Sequence, residues 1–218
     1  MTEISPAILT NDISDFRKKY AELFALSHFF QKLHVDFADG VFVSNQTVMP
    51  ADLAFLKASP FTLVAHFMTY HPEKYFRSAK TCGFQYALIH AEAFEDKKQL
   101  EHALLFGEHL GLKMGLVFNP FTDFRKFSSL YSKIQMIQLM GIQPGAQGRE
   151  FMPATYERLK ELKNLTKNVI ISVDGGIKIG IASKLAANGA NILVAGSAIL
   201  RAEDKEAAIE SLQADIKI

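Results

Sequence analysis

The chain has 218 residues, 49% hydrophobic and 22% charged, which is enough for one large core. Lys+Arg number 24 against Asp+Glu 23, giving a net charge of +1 with no concentrated basic run, so nothing marks a nucleic-acid partner. The single cysteine, Cys82, excludes an intramolecular disulfide and fits a reducing compartment. No apolar stretch approaches the ~20 residues of a membrane span. The start, Met1-Thr2-Glu3-Ile4-Ser5-Pro6, lacks the basic segment and apolar core of a signal peptide. A cytoplasmic protein with no membrane partner is expected.

Short apolar runs alternate with longer amphipathic segments along the chain. A strand is expected at 4–9, then a helix at 12–25 opened by the capping pair Asn11-Asp12. A strand at 29–36 leads to a helix at 51–57. Strand 62–68 leads to helix 72–82, with Pro72 suited to the first turn and Gly83 to the position after the last. Cys82 then falls in the last turn, as a small buried hydrophobe. Strand 86–91 precedes helix 98–110, closed by Gly111, and strand 113–118 precedes helix 122–130, capped by Thr122-Asp123. Strand 134–140 precedes helix 153–163, which Pro153 starts. Strand 168–174 precedes helix 179–188, closed by Gly189, and strand 192–195 leads to helix 204–218. Strand–helix units without a linker predict an α/β fold, a single-domain (β/α)8 TIM barrel over 1–218. A doubly wound sheet is the other arrangement, but no Gly-x-Gly-x-x-Gly follows the first strand.

The chemistry-bearing residues gather at strand ends. In His34-Val35-Asp36 the alternation of a strand points the imidazole and the carboxylate to one side. Strand 62–68 carries His66, and strand 168–174 ends in Asp174 before Gly175-Gly176. Two His and two Asp on three apolar strands imply one shared mouth, and convergent groups of this kind start a metal site. Glycines Gly145 and Gly148 after strand six, Gly175 and Gly176 after strand seven, and Gly196 with Ser197 after strand eight suit an anion approached by backbone N–H groups. Ordinary turns also use glycine. Met68 and Met140 would line the apolar side of the site. His90 reads as structural or supporting, Asp39 before Gly40 as turn chemistry, and His28, His71, His102 and His109 as solvated.

Seven segments taken in order resemble the ribulose-phosphate 3-epimerase family, whose close relatives include hexulose-phosphate 3-epimerases. They are Ser5-Pro6-Ala7-Ile8-Leu9, His34 through Val43, His66-Phe67-Met68, Asn119-Pro120, Met140 through Phe151, Val173 through Ile177, and Ala195 through Ala198. The resemblance implies one divalent metal ion (Zn, Fe, Mn or Co) on His34, Asp36, His66 and Asp174. It implies Asp36 and Asp174 as the catalytic acid–base pair, and substrate contacts at Ser5, His66, Met68, Met140, Gly145, Gly148, Gly175, Gly176, Gly196 and Ser197. The implied reaction interconverts D-ribulose 5-phosphate and D-xylulose 5-phosphate through a metal-stabilised enediolate, in a homo-oligomer acting in carbohydrate metabolism.

The chain departs from the family pattern around these groups. Ala38 replaces a Met, Ser44 and Met49 a Pro and a Gly, and Val64 an Asp. The loop usually written Asn-Pro-Gly-Phe-Gly-Gly-Gln is Gln143-Pro144-Gly145-Ala146-Gln147-Gly148-Arg149. Gln147 is expected to turn outward and leave the anion site open, with Arg149 able to supply charge. Because the surroundings change while the implied ligands remain, a six-carbon ketose phosphate of the allulose 6-phosphate type is a second possible substrate. A non-catalytic sugar-phosphate binder is a third reading. Sugar-phosphate decarboxylases and aldolases of this fold would show Asp-x-Lys-x-x-Asp on a strand, and metal-dependent hydrolases His-x-His after the first strand. Neither is present.

Overall fold

In the computed structural model, which describes residues 2–145 and 148–217, parallel strands pair in chain order and β8 returns to β1. The strands are β1 (Glu3–Ile8), β2 (Lys32–Ala38), β3 (Thr62–Met68), β4 (Phe84–His90), β5 (Lys113–Phe118), β6 (Met136–Met140), β7 (Ile170–Asp174) and β8 (Ile192–Ala195). This is the closed (β/α)8 barrel that the alternation implied, and the doubly wound sheet is excluded. The helices are α1 (Ile13–Ala25), α2 (Phe76–Thr81), α3 (Lys97–His109), α4 (Ala154–Leu165), α5 (Ile181–Ala187), α6 (Ser197–Leu200) and α7 (Lys205–Asp215).

Side-chain alternation divides the apolar residues into two layers. One set faces outward and packs under the helices, including Val35, Phe37, Phe67, Leu139 and Val173. The other fills the barrel itself and includes Ala7, Val64, Leu88, Val117, Met136 and Val194. Local chemistry fixes the helix ends: Asp12 accepts from Asp15 N, Asp96 from Lys98 and Gln99 N, and Asp204 from Ala207 N. Gly83, Gly111 and Gly189 take φ of 95°, 77° and 97° just past the helices that they end.

Four expected elements differ, the first being the helix expected at 72–82, which opens as a 3-10 turn over Pro72–Tyr75 before α2. The strand expected at 29–36 starts at Lys32, because Phe29 N turns back to Leu26 O and Phe30 stacks on Phe61 with ring centroids 5.1 Å apart. The helix expected at 51–57 is a 3-10 segment, Pro50–Ala58, and the one at 122–130 is a 3-10 segment, Phe124–Lys133. In the first, Pro50, Leu53 and Leu56 are buried, and in the second Phe124 and Leu130 are buried with Phe127 packed against the core. A spacing of three matches the 3-10 helix, in which residues i and i+3 eclipse.

The interior tolerates no extra atom on β5. A Cβ at Gly115 would lie 2.4 Å from Leu88 Cδ2 and 2.7 Å from Met136 O. Gly115→Ala is therefore expected to destabilise the barrel by about 1–3 kcal/mol through overpacking, read as a lower urea midpoint. An unchanged midpoint would show that β4 and β6 can yield.

Candidate metal centre

His34 and Asp36 project from β2, His66 from β3 and Asp174 from β7, and register sets Asp36 beside His66. One ligand atom from each of the four residues lies within 4.8 Å of the others, the one such group among the described residues. All are buried, with His66 at 0% exposure and Asp174 the most accessible at 8%. His66 Nδ1 lies 2.9 Å from Asp36 Oδ1 and 3.3 Å from Asp174 Oδ2, so both carboxylates converge on one nitrogen.

The donor set suits a divalent cation. Two imidazoles and two carboxylates form a borderline-to-hard set of donors. His34 Nε2 is buried without a hydrogen-bond partner, a costly state for a polar atom unless something else binds it. The cluster is capable of coordinating a metal ion.

Its electrostatics agree. Burial opposes the charged form of His66, yet hydrogen bonds to Asp174 and Asp36, and their charges, outweigh it and hold the imidazole up at about 9. Burial lifts Asp36 to about 6, opposed by its hydrogen bond to His66 and reinforced by the charge of Asp174. Burial pushes His34 down to about 3, opposed by Asp174 and reinforced by His66, which leaves a neutral imidazole with a lone pair to donate. Without a cation, a proton on His66 balances part of the paired negative charge.

A cavity of about 40 Å³ is lined by Asp36 and Asp174, by Met68 and Met140, and by Gly145, Gly148, Gly175, Gly176, Gly196 and Ser197. The structure thus gathers these sequence-derived candidates in one place. His66, level with Asp36 in the β2–β3 register, lies outside this lining. So does Ser5, which is fully buried and donates from Oγ to Lys32 O at 3.1 Å, while Ala7 pairs in register with His34 nearer the mouth. Packing also demands two of the glycines: a Cβ would come within 2.3 Å of Ile142 at Gly175 and 2.7 Å of Phe151 at Gly176. Ser197 opens α6, as expected of Gly196-Ser197-Ala198.

A model of the ribulose-phosphate 3-epimerase family matches residues 3–200. The chain belongs to that family. It is 28% identical to ribulose-phosphate 3-epimerase of Bacillus subtilis (strain 168), over 98% of this chain and 99% of that protein. It is 31% identical to the enzyme of the same name from Serratia marcescens, over 92% and 96%. Among solved structures, orotidine 5'-phosphate decarboxylase from Pyrococcus horikoshii OT3 superposes with a TM-score of 0.71 at 15% identity, over 99% of both chains. A mutant tryptophan synthase alpha-subunit from Pyrococcus furiosus gives 0.73 at 16%, over 99% and 97%. These two likenesses concern the fold alone.

Within the epimerase family pattern, the substitutions have physical readings. Val64, where the pattern has Asp, packs in the apolar barrel interior. Ala38 donates its N–H to Thr47 Oγ1 at 2.9 Å, and Arg149 turns Nη1 to Gln143 O of its own loop at 3.3 Å. Ala146 and Gln147 lie outside the described residues. Asp39 does turn chemistry, accepting from Val41 and Phe42 N at 2.8 Å each, and also ties the loop after β3 by accepting from Tyr70 N. Cys82 is buried just past α2, and His28, His71, His102 and His109 are exposed, as expected.

Two groups escaped the sequence reading. Gln138 on β6 is fully buried and donates from Nε2 to Asp174 Oδ2 at 3.1 Å. Its signal was a lone amide in the run Met136-Ile137-Gln138-Leu139-Met140, two residues from Met140 and so on the same side. His90, read as supporting, lies 2.9 Å from His66, and Glu92 beyond it was not singled out.

Metal uptake should expel protons, because an imidazole nitrogen must be bare to donate. With His66 held at about 9, apparent Zn²⁺ affinity should rise about tenfold per pH unit from roughly pH 6 toward 9 and then level off. Below about 6 the slope should steepen as Asp36 also takes up a proton. Calorimetry in buffers of different ionisation enthalpy should count about one proton released per metal near neutrality. A flat affinity over this range would contradict the charge arrangement.

Proposed function

We propose that the protein is a metal-dependent 3-epimerase of a ketose phosphate, interconverting D-ribulose 5-phosphate and D-xylulose 5-phosphate. The observation that carries this reading is the pair Asp36 and Asp174, brought by β2 and β7 to one His66 nitrogen at the mouth of the cavity. Inverting a carbon beside a carbonyl requires a base on one face and an acid on the other, and two carboxylates from separate strands suit both tasks. When bound by His34, Asp36, His66 and Asp174, a divalent cation supplies Lewis-acid polarisation of the sugar's carbonyl and neighbouring hydroxyl oxygens.

The chain's own residues do the rest. Asp36 and Asp174 both face the cavity, so either carboxylate is placed to take a proton from the sugar carbon or return one to it. Gln138 holds the Asp174 carboxylate by a hydrogen bond, fixing the direction in which it faces the sugar. Met68 and Met140 give the cavity an apolar wall, and the glycines of its lining suit contacts from backbone N–H groups to a phosphate. Family membership and the B. subtilis and S. marcescens relatives' name support the pentose substrate.

Incubation with ribulose 5-phosphate and Zn²⁺ or Mn²⁺ in deuterated water should yield xylulose 5-phosphate with solvent deuterium at carbon 3. Turnover of a six-carbon ketose phosphate alone would reassign the sugar and keep the chemistry. Binding of either sugar phosphate without exchange would make the protein a binder.

Asp36→Asn and Asp174→Asn should each lower turnover by at least about 10²–10⁴-fold, the usual worth of a general acid or base. Asp39→Asn should stay within roughly tenfold of the parent in turnover. It should lower thermal stability instead, since an amide cannot accept all three of the backbone N–H groups that Asp39 holds. Equal damage from Asp39→Asn and Asp36→Asn would break the assignment.

A further inference from the structure

A second run of polar groups, buried at His66 and His90 and half-buried from Glu92 onward, extends from the cluster. His66 turns Nδ1 to the carboxylates, and its Nε2 lies 2.9 Å from His90 Nε2, the rings stacked with centroids 5.1 Å apart. His90 is fully buried at the end of β4, and its Nδ1 lies 3.3 Å from Glu92 Oε2. Glu92 Oε1 accepts from Asn119 N at 2.8 Å and from the Thr122 hydroxyl. Arg158 secures that loop, donating from Nη1 to Thr122 O at 2.9 Å and from Nη2 to Asn119 O at 3.1 Å.

Each contact in this chain needs one hydrogen, and their placement follows from the far end. A carboxylate only accepts, so the hydrogen between Glu92 and His90 belongs to His90 Nδ1. A neutral imidazole has one N–H, so His90 Nε2 must accept. The hydrogen in the His66–His90 contact then belongs to His66 Nε2, which leaves His66 Nδ1 bare on the side of Asp36 and Asp174.

We propose that Glu92 and His90 are positioning residues that set the hydrogen-bond direction through two imidazoles, so that His66 presents a bare Nδ1 to a cation between Asp36 and Asp174. The inference rests on the reading of the cluster as a metal site. The loop after β5 is part of the same device, because Asn119 and Thr122 decide which way the Glu92 oxygens face.

Glu92→Gln tests it with little change of shape. Two donors face the position of Oε1, so the amide oxygen stays there and the NH₂ turns toward His90 Nδ1. That reverses both imidazoles and places a hydrogen on the His66 nitrogen needed for metal. Titration of the metal-free proteins with Zn²⁺ against a chromophoric chelator should show a roughly 10–100-fold loss of affinity in the variant. Nitrogen-15 spectra of the Zn²⁺-loaded parent should place hydrogen on His66 Nε2 and His90 Nδ1. Those spectra decide alone if the variant does not fold.

Affinity within about twofold of the parent, or a hydrogen on His66 Nδ1 in the loaded parent, would overturn the proposal. A Glu92→Gln protein that is merely less stable, with affinity intact, would assign Glu92 a structural role only. A parent that takes up no Zn²⁺ would fail the metal reading itself and the proposal with it, an outcome distinct from equal binding by both proteins.

Discussion

Asp36 and Asp174 reach the same nitrogen of His66, at 2.9 and 3.3 Å, where neither residue is more than 8% exposed. Two like charges in so little water repel one another and lose hydration, so they persist only if positive charge and hydrogen-bond donors converge on them. The surroundings supply both. His66 is held high enough to take a proton, and Gln138 donates to Asp174. Beneath them, Val64, Leu88 and Met136 close the barrel with apolar volume, which keeps the interactions above strong.

The barrel makes this convergence possible. β2 and β3 are adjacent and carry three of the four groups, while β7 brings the fourth from across the mouth. Open sheets cannot bring strands so far apart in order to one point, whereas closure does so through ordinary parallel pairing. The same cavity is lined by Asp36 and Asp174 and by glycines after β6, β7 and β8. Solved barrels under 20% identical share the scaffold without this arrangement of residues being implied.

Much of this was legible in the sequence because strand periodicity is local. Residues 62–68, 113–118 and 192–195 are strands as expected, and His34 and Asp36 share a side because alternation survives an error in where β2 begins. The 3-10 segments were missed because apolar residues three apart also fit an amphipathic α-helix when the window is short. Gln138 and Glu92 were overlooked for a different reason. Their importance lies in contacts across strands and loops, 36 residues to Asp174 for one and 30 to Thr122 for the other, and no pattern along the chain encodes such register. Ser5 shows the converse: it lies in a resembling segment, yet its hydroxyl is spent on Lys32 O.

The cost of the cluster bears on why it is there. Buried ion pairs can often be replaced by well-packed apolar residues at no loss, or with a gain of about 1–4 kcal/mol. A barrel mouth selected for stability alone would continue the Val, Leu and Met packing seen one layer below. Instead the chain retains two carboxylates, a His66 that must balance them, and a His34 nitrogen with no partner of its own. Hydrogen bonding to sugar hydroxyls calls for donors and acceptors, but not for a buried imidazole nitrogen left without a partner near paired carboxylates. The like-charged carboxylates and the unsatisfied His34 nitrogen thus gather at the one cluster, among the described residues, that is capable of coordinating a metal ion.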